Sequence, residues 1–358
     1  MESDALTFAE KLLTLLDEGA FTTSYKFAVL LGLLDLSVEL TDESEHTLTA
    51  ITTLHLAEKV LEIYWRQTLP FQADKILLAG RSGQAEIVSS ILKFQNLSEH
   101  AGQTLRECRM HDSITFNKLL EEIEWKLVEL PLPRLQWFGS HEDKFIYEIA
   151  WNKEVTRSQF LSPSFRREIR FKPKVVDHFV TLNGLVRPLI QRKWSMFVAG
   201  ANKEVVQDSQ LEKFLFGSDR SSLTAVREPL LHLQKGTCLY CGHNISSDCH
   251  IDHFLPWSRW PSNLIENLVA AHDKCNLAKK DFFPAAPHIK SWSDRNSSQT
   301  QEIEAFTKQF GWESDYEKVW AAARGIYLHL PETTQLWISA REFEPLDRGV
   351  MRDTFRSI

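Results

Sequence analysis

Apolar positions recur at helical spacing through the first 66 residues. Leu6, Ala9, Leu12, Leu13 and Leu16 keep one face. Phe27, Leu30, Leu31 and Leu34 keep another, behind Thr22 or Thr23 as a cap. Leu54, Ala57, Val60, Leu61 and Tyr64 mark a third helix, from about Leu48 to Trp65, which Pro70 ends. Three amphipathic helices at short spacing predict a bundle. Ile87, Val88, Ile91 and Leu92 predict a helix capped by Ser82, and Ser113 to Leu130 another, stopped by Pro131 and Pro133. The aromatic and β-branched residues from Phe145 to Trp151 read as a strand. Pro173 opens a long helix to about Gly200, with Pro188 as a kink point. Ser, Pro and Asn make Pro284 to Gln301 a loop, and residues 302–328 hold two further helical stretches.

Residues 236–283 break this periodicity, and two sets of chemistry-bearing residues interleave there. Cys238 and Cys241 form a C-x2-C pair; His272 and Cys275 form an H-x2-C pair, with 30 residues between the pairs. A two-residue gap lets both side chains of a pair reach one ion. Three thiolates and an imidazole close a tetrahedral site of the kind that suits structural Zn²⁺. The plainer alternative, cysteines as small buried apolar residues, does not explain the matched pairs. The second set is Asp252, His253, Asn267, Asn276 and Lys279. Asp and Asn oxygens suit a hard cation, Mg²⁺ or Mn²⁺, and a neutral imidazole beside such an ion can take a proton from water. Around them, Asp248 to Leu255 can be a short strand, Asn267 to Ala271 a second, and Lys274 to Asp281 a short helix capped by Asp273. His250 reads as a flanking strand residue and Cys249 as buried.

These residues resemble the HNH endonuclease motif, the ββα-metal finger whose hairpin is pinned by a zinc knuckle. Cys238, Cys241, Asp252, His253, Pro256, Asn267, Cys275, Asn276 and Lys279 match the pattern; His272 stands where many members carry cysteine. The resemblance covers about 50 residues and implies roles by position. Asp252 and Asn276 would hold one divalent ion, and His253 would be the general base. Asn267 would orient its ring, directly or through a backbone carbonyl, and Lys279 would reach phosphate. The expected fold class is mainly α with a small α+β insert. Four parts are expected: a helical domain over 1–135, a strand and long basic helix over 136–230, the finger over 231–285 and a helical region over 286–358.

Length and composition fit a globular chain of several domains, with 43% hydrophobic and 25% charged residues. Five cysteines, four of them in the zinc set, argue against a disulfide framework and for a reducing compartment. The acidic N-terminus lacks the basic region of a signal peptide, so a cytoplasmic protein is expected, with no membrane association. The net charge of −7 hides a polarisation. Residues 1–60 carry 11 acids and 3 bases; residues 160–200 carry 8 bases and 2 acids. A DNA-facing surface is therefore expected, with Arg166, Arg167, Arg170, Lys172, Lys174 and Lys280 as contact candidates. The acidic N-terminal helices are a candidate docking face for a protein partner.

Other features carry less. The stretch 75–83 resembles a phosphate loop but lacks the Gly-Lys-Ser/Thr end. Glu121, Glu122 and Glu124 read as a solvated helix face. Asp177-His178 repeats the Asp-His pair without ligand partners nearby. The arginines of the C-terminal tail would pack back on the N-terminal helices or touch DNA. Together these readings make a metal-dependent HNH endonuclease that nicks or cleaves DNA, in restriction or phage defence. The alternative is a non-catalytic zinc-ribbon module that binds nucleic acid or protein; Asp252, His253 and Asn276 have no purpose in it.

Overall fold

The computed structural model describes residues 2–19, 21–40, 48–71, 75–97, 100, 103–203, 208–217, 222–245 and 249–356. The chain divides into two compact units, Met1–Ser37 with Glu43–Gly217, and Val38–Asp42 with Ser218–Ile358. Secondary structure is mainly helical, with small antiparallel sheets, and no described helix is long and apolar enough to cross a membrane.

The first unit runs through α1 (Glu2–Glu18), α2 (Tyr25–Glu39), β1 (Ala50–Thr52), α3 (Thr53–Gln67), α4 (Glu86–Gln95), α5 (Leu105–His111) and α6 (Ser113–Glu129). It continues through β2 (Trp137–Phe138), β3 (His141–Glu142), β4 (Tyr147–Ile149), α7 (Arg157–Phe160), β5 (Glu168–Phe171), α8 (Val175–Ala201) and α9 (Asp208–Phe216). The three N-terminal helices do not close a bundle chiefly on one another. α1 packs on α8, and α3 on α6. The expected third helix also starts later. Ala50–Thr52 joins a sheet ordered β1–β5–β4, with Ile51 opposite Ile169, and Thr52 then caps α3 by accepting from His55 N at 3.1 Å. Nothing local marks these residues as a strand, because their partner is more than 100 residues away.

Two caps differ from expectation. α2 begins at Tyr25, past both threonines, and α4 begins after Ala85 with no side-chain cap. Ser82 lies upstream, in a loop held by the Gln84 amide, which bonds Leu77 O, Ala79 N and Ala85 N. Glu124 is not on a solvated face: it is 1% exposed and accepts from Thr53 Oγ1 and, at 2.8 Å, from an Arg167 guanidinium nitrogen.

The polarised charge resolves in the same unit. Lys174 pairs with Asp4 at 2.9 Å, Lys193 with Asp17, Lys172 with Glu148 and Arg170 with Glu168. Arg187 is buried against Asp35. Of the eight cations in 160–200, Lys174, Arg187 and Lys193 thus find their counter-ions in the acidic N-terminus. Asp177-His178 carries no cluster: His178 lies against the Phe8 ring, centroids 5.2 Å apart.

The second unit begins with α10 (Arg227–Leu233), then β6 (His250–His253), β7 (Leu268–Ala271) and α11 (Asp273–Lys279). α12 (Ala286–Ser298), α13 (Thr300–Phe310), α14 (Tyr316–His329), β8 (Gln335–Ser339), β9 (Glu342–Pro345) and α15 (Arg348–Arg356) follow. β6 and β7 pair antiparallel, with Asp252 opposite Val269 and His253 opposite Leu268. The order β, β, α is the expected one; Asp248, its expected start, lies outside the described residues. The helix cap is His272 rather than Asp273.

Pro284 to Gln301 is not a loop. α12 fills it, because Ile289 and Trp292 are fully buried and Trp292 stacks on Phe254 at 4.5 Å. A polar sequence hid two anchoring apolar residues on one face. Of the C-terminal arginines, Arg348 departs from expectation. α15 packs on α12 and α14 of its own unit, and Arg348 donates to Leu328 O and Leu330 O at the end of α14.

Candidate metal and catalytic site

The knuckle forms first in the chain. Gly242 takes φ +69°, a left-handed conformation that lets the chain turn back after Cys241. Cys238 N donates to His243 O, and Gly242 N to Cys238 O, both at 2.9 Å. Gln234 ties this turn to the hairpin: its amide bonds Ala270 through both N and O, and Thr237 O as well. Donor atoms of Cys238, Cys241, His272 and Cys275 all lie within 4.8 Å of one another. His272 Nε2 meets Asn244 O at 3.0 Å, and Nδ1 faces Cys241 Sγ at 3.3 Å. That outer contact places the hydrogen on Nε2 and the lone pair on Nδ1, as a ligating imidazole requires. Burial, then the neighbouring Cys238 and Cys241, push the Cys275 thiol up to about 12. Thiolates so crowded are costly without a cation, so the donor set fits Zn²⁺.

Asp252 and His253 lie on β6, and Asn276 and Lys279 on α11, which packs on it. Asp252 is half-buried; its Oδ2 accepts from Tyr240 OH at 2.6 Å and lies 3.1 Å from Lys279 Nζ. Burial first, and then the Asp252 charge, hold the Tyr240 phenol well above its usual range, so it donates. Lys279 departs from its expected role. It is 0% exposed, and its ammonium also donates to His253 O at 2.9 Å and Lys280 O at 3.4 Å. It therefore points inward, under β6, and is not placed to grip a phosphate. Asn276 stands one helical turn before Lys279 on α11 and is half-buried.

His253 is 8% exposed, with the Trp257 ring 5.0 Å away. Its Nε2 meets Asn263 Oδ1 at 2.8 Å. An amide oxygen accepts, so a neutral ring carries its hydrogen on Nε2 and its lone pair on Nδ1. Asn267, expected to orient this ring directly or through a backbone carbonyl, turns its side chain to the loop that follows the strand. It is fully buried; its side chain accepts from Leu255 N at 2.8 Å and donates to Ser262 O at 3.0 Å, and its carbonyl accepts from Phe254 N at 2.7 Å. Asn267 thus braces the loop that carries Asn263, and Asn263 touches the ring. His250 pairs with Asp273 at 3.3 Å rather than joining Asp252.

Behind the hairpin, Glu266 O collects three donors: Trp292 Nε1 at 2.6 Å, Arg295 Nη2 at 2.8 Å and Asn296 Nδ2 at 3.2 Å. Arg295 Nη1 reaches Leu268 O at 2.6 Å, opposite His253. On the other side, Cys249 is buried with Ile265, Leu268 and Ala270 among residues of α10 and α13. Tyr240, Asn263, Gln234 and Arg295 were not singled out in the sequence. Tyr240 alone had a local signal, its place between two ligand cysteines; the others act across turns or between elements.

Of the contact candidates, Lys280 is exposed at the end of α11 and Arg166 is exposed in the first unit. Arg167, Arg170, Lys172 and Lys174 are in ion pairs.

Residues 238–282 match the family model described as HNH endonuclease, which covers the knuckle, the hairpin and α11. The match supports a nuclease-type, nucleic-acid-binding domain with a metal-binding cluster. No curated protein and no solved structure matches the chain. Over residues 5–215, more than half its length, the chain matches the model described as Domain of unknown function (DUF8808), and it belongs to that family, carrying an HNH endonuclease domain behind it.

Proposed function

We propose that this protein is a metal-dependent endonuclease that hydrolyses phosphodiester bonds of DNA, with one active site in its second unit. The observation that carries this reading is the pairing of His253 and Asp252 on β6, the ring fixed by Asn263 and the carboxylate facing α11. The oxygen donors Asp252 and Asn276 fit a hard divalent ion, Mg²⁺ or Mn²⁺, and Cys238, Cys241, His272 and Cys275 fit structural Zn²⁺. When bound, the hard ion would offset negative charge on the phosphate during cleavage. His253 accepts the proton of the attacking water while Asn263 holds its ring. Asn267 keeps the loop, and so the ring, in place. Lys274 on this helix and Lys280 at its end are exposed cations available to phosphate.

Purified protein incubated with supercoiled plasmid and Mg²⁺, Mn²⁺ or EDTA tests the reading. Nicking or linearisation with metal, lost in EDTA and in His253→Ala, is expected. A second reading is a passive zinc module, favoured by the ion pair that Asp252 already makes with Lys279. Intact plasmid under every metal, with the zinc in place, would establish it. As a cellular role we propose restriction or phage defence, on the analogy of a lone finger behind a large helical region. Plating efficiency of phage on cells carrying wild type or His253→Ala checks it; no difference removes that role.

A further inference from the structure

Tyr240 and Lys279 address the same oxygen of Asp252. Tyr240 OH is 2.6 Å and Lys279 Nζ 3.1 Å from Oδ2, and among the described residues Oδ1 takes no hydrogen bond or ion pair. Neither donor has room to swing. The Tyr240 ring meets Trp337 edge-on at 5.1 Å and His288 edge-on at 5.6 Å. The Lys279 ammonium has three acceptors for its three hydrogens: Asp252 Oδ2, His253 O and Lys280 O. A wholly buried ammonium needs a counter-ion, and Asp252 is the carboxylate it has.

We infer that Tyr240 and Lys279 are positioning residues that lock Asp252 through Oδ2, turn Oδ1 toward the divalent ion, and cancel the carboxylate charge so that the ion is held well only together with a phosphate. This rests on the proposed nuclease reading. Asn276 is neutral and Asp252 is paired with Lys279, so these three side chains sum to no net charge. A dication gains little from such a set. A phosphodiester that enters the coordination sphere supplies the missing negative charge, and linkage then makes each ligand tighten the other. Tyr240 adds a second consequence. It lies between Cys238 and Cys241, so the turn that holds the zinc ligands also holds the phenol that fixes Asp252.

The test is Mn²⁺ binding to the full, zinc-loaded chain, read by electron paramagnetic resonance and calorimetry. A His253→Ala background prevents cleavage, and each variant is measured with and without duplex DNA. In that background DNA should tighten Mn²⁺ binding by about tenfold or more, the scale of one unit charge a few ångströms away. Adding Lys279→Met should tighten Mn²⁺ binding without DNA by several-fold and shrink the gain from DNA. Adding Tyr240→Phe, which keeps the ring and the lysine, should weaken Mn²⁺ binding while zinc content stays intact. Equal Mn²⁺ affinity with and without DNA, or variants indistinguishable from the background, overturns the clamp but leaves the nuclease standing. No Mn²⁺ bound even with DNA, with zinc present, overturns the nuclease reading itself.

Discussion

The two units treat charged residues in opposite ways. In the first unit, segments of opposite sign meet: Asp4 takes Lys174, Asp17 takes Lys193, Glu124 takes Arg167 and Asp35 takes Arg187. Charge there is used to join helices and strands. In the second unit, charged and polar groups gather on a hairpin and one helix, each held from behind so that it faces a particular way. Asn263 holds His253, Tyr240 and Lys279 hold Asp252, and Asn244 holds His272. A run of like charge in a sequence is therefore poor evidence of a charged surface, because its partner can lie 170 residues away. A set of ligand-type residues at fixed short spacing is good evidence, because the chain between them is too short to separate them.

This contrast can be broken by substitution, and the largest effect belongs to the knuckle. Cys238→Ser or Cys275→Ser should lose zinc and the folded hairpin, since apparent zinc binding in such small sites supplies about 10 kcal/mol or more. The first unit's helical signal should persist. Zinc content by atomic emission and far-ultraviolet dichroism check this; full zinc in either mutant refutes the ligand set. His253→Ala comes next, with cleavage reduced about 10²–10⁴-fold and zinc and melting temperature retained. A rate within a few-fold of wild type would point to another base.

Asn263→Ala should reduce cleavage by about 10–100-fold, a typical cost for losing an outer-shell partner. The loss should fall on kcat more than on KM, and a pure KM effect would remove Asn263 as the ring's holder. Arg167→Ala leaves Glu124 buried with Thr53 as its remaining partner here, and should destabilise the first unit by about 2 kcal/mol in urea. Its cutting activity should not change. The smallest expected effect is that of Lys172→Ala with Lys174→Ala. Both lysines are already paired, so the salt dependence of DNA binding should not change. A slope reduced by about 2 would mean that both touch phosphate, and the contrast between the units would fail.

Some of this organisation could be read directly. The ββα order, the knuckle, α6 and α8 are local: strand alternation, paired ligand spacing and proline stops are each written within a few residues. α12 could not be read, because two anchoring residues, Ile289 and Trp292, sit in an otherwise polar stretch. β1 could not, because its partner β5 is far along the chain. The inward turn of Lys279 could not, because helix periodicity gives a face but not what that face meets.

Sequence alone picked out the candidate side chains, since Cys238, Cys241, His272, Cys275, Asp252, His253 and Asn276 are named by spacing, type and resemblance. Tertiary structure decided what each of them can do. Burial set Lys279 beside Asp252 as its counter-ion, and the fold placed Asn263 against the His253 ring and Asn267 against the loop that follows it. It also paired Lys174 and Lys193 of the basic segment with Asp4 and Asp17 of the acidic one. The physical reason is that type and spacing are properties of the chain, whereas a charge or a hydrogen-bonding group takes its meaning from what surrounds it after folding.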